Sequence, residues 1–90
     1  MRISVTPAGG DVYTVEVEDG RGATRHEVTA RPEDVAALGG GASAERLVEE
    51  SFRFLLEREP KESILRSFDL PVIRRYFPEY ADEIGHRTAS

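Results

Sequence analysis

The chain has no cysteine and no tryptophan, and only one methionine and two histidines in ninety residues. Without cysteine, neither a disulfide nor a thiolate metal site can hold it together, so its stability must come from a packed core. His26 and His86 are isolated from each other, and the acidic residues show no ligand spacing. No metal site and no cofactor are therefore expected. The chain also lacks a long apolar run; its longest is far short of a membrane span. The start, Met1-Arg2-Ile3-Ser4-Val5, lacks the apolar stretch of a secretory leader, so a cytoplasmic protein with no membrane contact is expected. Lysine is scarce too: Lys61 stands alone among twelve basic residues. The arginine excess reads as coding bias and weakens any argument from arginine count.

What is present is acidic. Seventeen acids against twelve bases give a formal charge of −5. That balance favours solubility and disfavours indiscriminate binding to nucleic acid. Ninety residues suit a single domain, large enough to fold alone with a modest margin.

The first third alternates as strands do. Ile3 and Val5 interleave with Arg2, Ser4 and Thr6, and Pro7 to Gly10 is turn chemistry. Tyr13, Val15 and Val17 then alternate with Thr14, Glu16 and Glu18. A third strand follows from Ala23 to Ala30, with Thr24, His26 and Val28 on one face. A four-residue loop from Asp19 to Gly22 would place Glu16 opposite Arg25 and Tyr13 opposite Val28. A two-residue Asp19-Gly20 loop would instead pair Glu18 with Arg21. The longer loop is preferred, and both registers keep the same inward face.

The remainder reads as helical. Pro32, Glu33 and Asp34 suit a helix start, and Gly39-Gly40-Gly41 ends that short helix. Ser43 can cap a long helix from Ala44 to Glu59. Leu47, Val48, Ser51, Phe52, Phe54, Leu55 and Leu56 form its wide apolar arc, and a helix with so broad an arc needs contacts on two sides. Its Leu47/Phe52/Leu55 side is expected on the sheet. Short helical turns are predicted for Pro60–Ser67, for Leu70–Phe77 behind an Asp69 cap, and from Pro78 through Ile84, closed by Gly85. The fold class expected is α+β, with a three-stranded antiparallel meander over residues 1–30, a helical half over 31–85 and a flexible tail over 86–90.

Chemistry is sparse. No serine sits in a nucleophile elbow, and Gly39-Gly40-Gly41 lacks the Lys-Ser/Thr ending of a phosphate loop. No catalytic residues are assigned, and the protein is read as non-enzymatic. His26 is expected to be structural. Arg58 and Glu59 fall beside the apolar arc of the long helix, away from its other charges. The plainer reading is a helix-end salt bridge; the functional one is a polar anchor for a partner. Arg66, Arg74 and Arg75, beside Tyr76, could form a basic patch on two short helices of helix-turn-helix proportions. Against this, the second helix opens on apolar Leu70-Pro71-Val72, where base-reading side chains should lie, so nucleic acid is disfavoured as a partner. Six of the seven aromatics fall between Phe52 and Tyr80. Core filling explains them, though some could form a patch for self-association.

The run Ser51-Phe52-Arg53-Phe54-Leu55-Leu56-Glu57-Arg58-Glu59-Pro60, with Ser63-Ile64-Leu65, Phe68-Asp69-Leu70 and Tyr76-Phe77-Pro78-Glu79-Tyr80 after it, resembles a group of short bacterial hypothetical proteins. These have nearly the same length and a variable β-rich start, and the similarity covers about the last half of this chain. The resemblance implies a bacterial origin and a shared fold. It adds no activity, cofactor or catalytic residue.

The expected function is thus protein–protein interaction through the helical half, with another protein or a second copy as partner. The candidate contact residues are Arg58, Glu59, Arg66, Arg74, Arg75 and Tyr76. The alternative is a weak nucleic-acid-binding regulator using the arginine patch.

Overall fold

A computed structural model describes residues 1–89. Three strands, β1 (Arg2–Pro7), β2 (Val12–Asp19) and β3 (Gly22–Thr29), form the expected antiparallel meander. Glu16 lies opposite Arg25 and Tyr13 opposite Val28, which is the register of the longer loop. Asp19 and Gly22 close that hairpin as a pair. Asp19 also fixes the turn, because its Oδ1 accepts from the Arg21 backbone N–H at 2.7 Å.

The sheet has a fourth strand, which corrects the three-stranded expectation. β4 (Ser67–Asp69) lies parallel to β3, in the order β1-β2-β3-β4. The helical turn predicted for Pro60–Ser67 is confined to three residues. A single 3-10 turn at Lys61–Ser63 gives way to extended chain. So short a helix nucleates poorly, whereas the open edge of β3 offers ready hydrogen bonds. The Glu27 N–H donates to the Arg66 carbonyl at 2.8 Å, and Phe68 faces Val28.

All the helices cover one face of the sheet. Val15, Val17, Thr24, His26 and Val28 point inward and are buried, while Arg2, Glu16, Glu18, Arg25 and Glu27 face solvent. Helix α1 (Pro32–Gly39) starts on Pro32 and the two predicted acids. Gly40 ends it at φ 58°, a left-handed conformation that suits a residue without Cβ. Helix α2 (Ala44–Leu56) begins at Ser43, whose hydroxyl accepts from the Arg46 N–H at 3.1 Å. It stops one turn before the expected Glu59. A second 3-10 turn (Leu70–Val72) runs into the short helix α3 (Ile73–Tyr76). Asp69 does not cap it; its Oδ2 accepts from Arg31 Nη1 at 3.0 Å instead.

Helix α4 (Tyr80–Thr88) takes in residues 86–88 of the segment expected as a tail. Gly85 does not close it but lies inside it, and the chain stays helical through Thr88. Thr88 is buried and its hydroxyl donates to the Ile84 carbonyl at 2.9 Å. Ser90 lies outside the described residues. No helix among the described residues is long and apolar enough to cross a membrane.

The two-sided burial of α2 is met by two different layers. Phe52 rests on the sheet, its ring centroid 5.3 Å from that of His26 and 6.1 Å from that of Phe68. Phe54 turns the other way, 5.3 Å from Tyr80 and 5.9 Å from Phe77. Leu47, on the same predicted side as Phe52, also lies against Gly39 of α1. Between α2 and α4 sits a buried polar link. Ser51 Oγ donates to the Leu47 carbonyl at 2.7 Å and lies 2.7 Å from Tyr80 Oη. With its one proton spent on that carbonyl, Ser51 can only accept from Tyr80. Burial pushes the Tyr80 phenol up to about 12.

This geometry makes an asymmetric prediction. Ser51→Ala orphans the buried Tyr80 hydroxyl and should cost about 1–3 kcal/mol in urea unfolding. Tyr80→Phe leaves Ser51 bonded to Leu47 and should cost about 1 kcal/mol. The double variant should lose less than the sum of the two; strict additivity would show that the hydroxyls are not coupled.

Candidate functional site

The C-terminal end of α2, the strand β4 and the helix α3 enclose an open apolar groove of about 150 Å³. Leu55, Ile64, Phe68 and Ile73 form its base and walls, and Leu65 and Tyr76 stand beside it with 47% and 65% of their surface exposed. The groove is shaped by residues 64–69, which leave the helical path after the 3-10 turn and enter the strand β4. A helix there would have turned Leu65 and Phe68 elsewhere. Glu59, half-buried, lies in its lining. No cation among the described residues pairs with it, and partial burial holds its carboxyl above the ordinary value.

Arg58 and Glu59 are adjacent in sequence but do different work. Arg58 turns inward, with its guanidinium 3.6 Å over the Phe54 ring. It donates to the Phe54 carbonyl at 3.0 Å, to Glu79 at 3.1 Å and to Glu83 at 2.8 Å. Arg87 completes the cluster by donating to Glu57 at 2.5 Å and Glu83 at 3.1 Å. These charges staple the end of α2 to α4 and satisfy a terminal helix carbonyl. The helix-end salt bridge therefore accounts for Arg58, whereas Glu59 remains open toward the groove.

Arg66, Arg74 and Arg75 are exposed, and no carboxylate among the described residues pairs with them. Their expected setting is missing. Arg66 lies in the bend just before β4, and α3 spans four residues, too short for a recognition helix. Tyr76 lines the groove beside them.

His26 sits inside the sheet–helix layer with none of its surface exposed. Its Nδ1 is 2.8 Å from the Leu65 carbonyl and its Nε2 2.8 Å from Thr24 Oγ1. A carbonyl only accepts, so Nδ1 must carry the proton. In the neutral ring, Nε2 then accepts from the Thr24 hydroxyl. Both nitrogens are satisfied without a charge, and burial holds the pKa below its ordinary 6.5. The ring ties β3 to the segment that shapes the groove.

Sequence reasoning passed over Lys61. Its side chain is only 4% exposed and its Nζ donates to Asp19 at 3.0 Å and Glu62 at 2.5 Å. It pins the β2–β3 hairpin to the first 3-10 turn. One signal was available: it is the sole lysine in an arginine-rich chain, and a compact ammonium fits where a planar guanidinium does not. The two carboxylates raise its pKa, and Asp19 is held low first by the Arg21 N–H and then by Lys61.

Among the described residues no three His, Asp or Glu gather as a metal-binding group. No protein-family model, curated protein or solved structure matches this chain. The functional reading therefore rests on the geometry above.

The buried His26 predicts a pH dependence. Between its folded and unfolded pKa values the unfolded chain binds more protons, so acid favours unfolding there. Its contribution is fully present above 6.5 and is lost as pH falls through the lowered folded value. Urea midpoints should drop from about pH 7.5 to about 5.5, and His26→Gln should flatten that slope even at lower overall stability. An unchanged slope in the variant would assign the effect to other groups.

Proposed function

We propose that this chain is a non-enzymatic interaction module whose helical half captures a segment of a partner protein. One observation carries the reading: an open apolar groove, bordered by exposed Leu65 and Tyr76, holds a carboxylate with no cation partner among the described residues. Ordered, half-desolvated carboxylates are costly unless something pairs with them. The complementary segment carries an aliphatic or aromatic anchor and, beside it, a lysine or arginine. The anchor fills the groove and the cation meets Glu59. Aromatic and aliphatic anchors in such pockets supply most of the affinity of small interfaces, with the rim charge setting preference.

The test uses paired synthetic peptides, identical except for Lys or Glu next to a Leu-Phe anchor, titrated into isotope-labelled protein. The lysine peptide should shift the amide signals of Leu65, Val72 and Tyr76. Glu59→Gln should weaken it by about fivefold, the worth of one partly screened ion pair. No shifts at millimolar peptide, or shifts confined to the outer face of the sheet, would sink the reading.

The second reading, a nucleic-acid-binding regulator, draws on the three unpaired arginines Arg66, Arg74 and Arg75. If they form a phosphate-contacting surface, duplex or single-stranded oligonucleotide should be retarded at low salt, and Arg74→Glu with Arg75→Glu should abolish the shift. The protein-binding reading expects no shift under those conditions.

A further inference from the structure

The sheet has two edges, and they are unlike. β4 is three residues long, with Arg66 before it and Asp69 ion-paired at its end. Short length and flanking charge are the usual protections of an edge. β1 is twice as long and pairs with β2 in unbroken register from Arg2 to Pro7, with no bulge. Between its ends it reads Ile3-Ser4-Val5-Thr6, with no charge and no proline. Nothing of that kind protects its middle.

The direction of its free backbone groups follows from the turn. The Ala8 N–H donates to the Val12 carbonyl at 2.8 Å, which makes Ala8 and Val12 a hydrogen-bonding pair. Such pairs alternate along an antiparallel ladder. Thr6, Ser4 and Arg2 therefore bond to β2, and the N–H and C=O of Ile3 and Val5 point to the open edge. Pro7 falls on the same outward set, where its missing N–H costs the ladder nothing.

We infer that β1 pairs with β1 of a second copy, antiparallel about a two-fold axis at Ser4, to make one eight-stranded sheet. In this register Ile3 faces Val5 of the other copy and Val5 faces Ile3. Each pair exchanges two hydrogen bonds, so all four outward groups of each strand are used. Arg2 faces Thr6, and Ser4 faces Ser4. No like charges meet, and half-buried Ile3 and Val5 extend the apolar face of one sheet into the other. Shifting the strands so that Ile3 faces Pro7 removes bonds, because proline has no N–H to give. Beside the edge lies a cleft of mixed character, in which Met1, Ile3 and Leu56 are joined by the charged Arg53, Glu57 and Arg87. A strand with self-complementary pattern, uncharged centre and a proline that penalises the slipped register fits its own copy better than an unrelated strand. This interface is separate from the groove and does not rest on it.

The register is tested by cross-linking. The chain has no cysteine, so Ser4→Cys and Thr6→Cys each carry one thiol. A directly opposed, non-hydrogen-bonded pair has Cα atoms about 4.5 Å apart, within disulfide reach. The two Thr6 positions lie more than about 13 Å apart. Light scattering should find a dimer of the unaltered protein. Under mild oxidation Ser4→Cys should convert to a disulfide dimer at least about tenfold faster than Thr6→Cys, because pairing raises the local thiol concentration. Ser4→Lys places two ammonium groups face to face at an exposed-side position, and should give a folded monomer with unchanged far-ultraviolet dichroism. A strict monomer at millimolar concentration overturns the inference. So does equal cross-linking of the two cysteine variants. Loss of the dimer with Leu65→Asp but not with Ser4→Lys would place the contact at the groove, and also overturns it.

Discussion

Helix α2 is apolar across more of its circumference than one layer can cover. Phe52 and Phe54 are two positions apart, and so project about 200° apart around the helix axis. One meets the sheet and the other meets α4. Every other element is placed by that need. The sheet requires a helix for its single apolar face, and α2 supplies it. The exposed back of α2 in turn requires α4, which explains why the chain stays helical past Gly85 to Thr88 instead of fraying.

Polar groups inside this framework act as locators. His26 joins β3 to Leu65, Ser51 joins α2 to Tyr80, and Lys61 joins the β2–β3 hairpin to the turn after α2. Each connects segments that are distant in sequence, and none of the described buried side-chain atoms lacks a hydrogen-bond partner. Apolar packing tolerates small slides; a buried hydrogen bond does not, because a lost partner leaves a desolvated group unpaired. These three links fix where the return segment lies, and the return segment is what shapes the groove.

The surface divides by the same logic. Charges near the end of α2 are consumed internally, as Arg58 and Arg87 hold Glu57, Glu79 and Glu83. The outer face of the sheet is a solvated array of mixed sign. Among the described residues, what remains unpaired is local: Glu59 in the groove, Arg66 before β4, Arg74 and Arg75 on α3, and the outer backbone edge of β1. Partner-binding surfaces are sought where such groups persist, since a folded chain has already paired most of what it can reach.

The sequence alone determined the meander and its inward face, and narrowed its register to two choices, because two-residue periodicity and turn residues act between neighbours. It also determined the core face of α2, the ends of α1 and the structural role of His26, each legible from local spacing. It did not reveal β4. Residues 67–69 are too few to show strand alternation, and they are a strand because they pair with the edge of β3, a neighbour distant in sequence. The split between Arg58 and Glu59 was equally hidden. Helical spacing put both beside the apolar arc, but only the packing of α4 supplied acids for Arg58, while Glu59 has no cation partner among the described residues. Local periodicity fixes which face of an element is buried; long-range packing decides what covers it, and so which polar groups remain for another molecule.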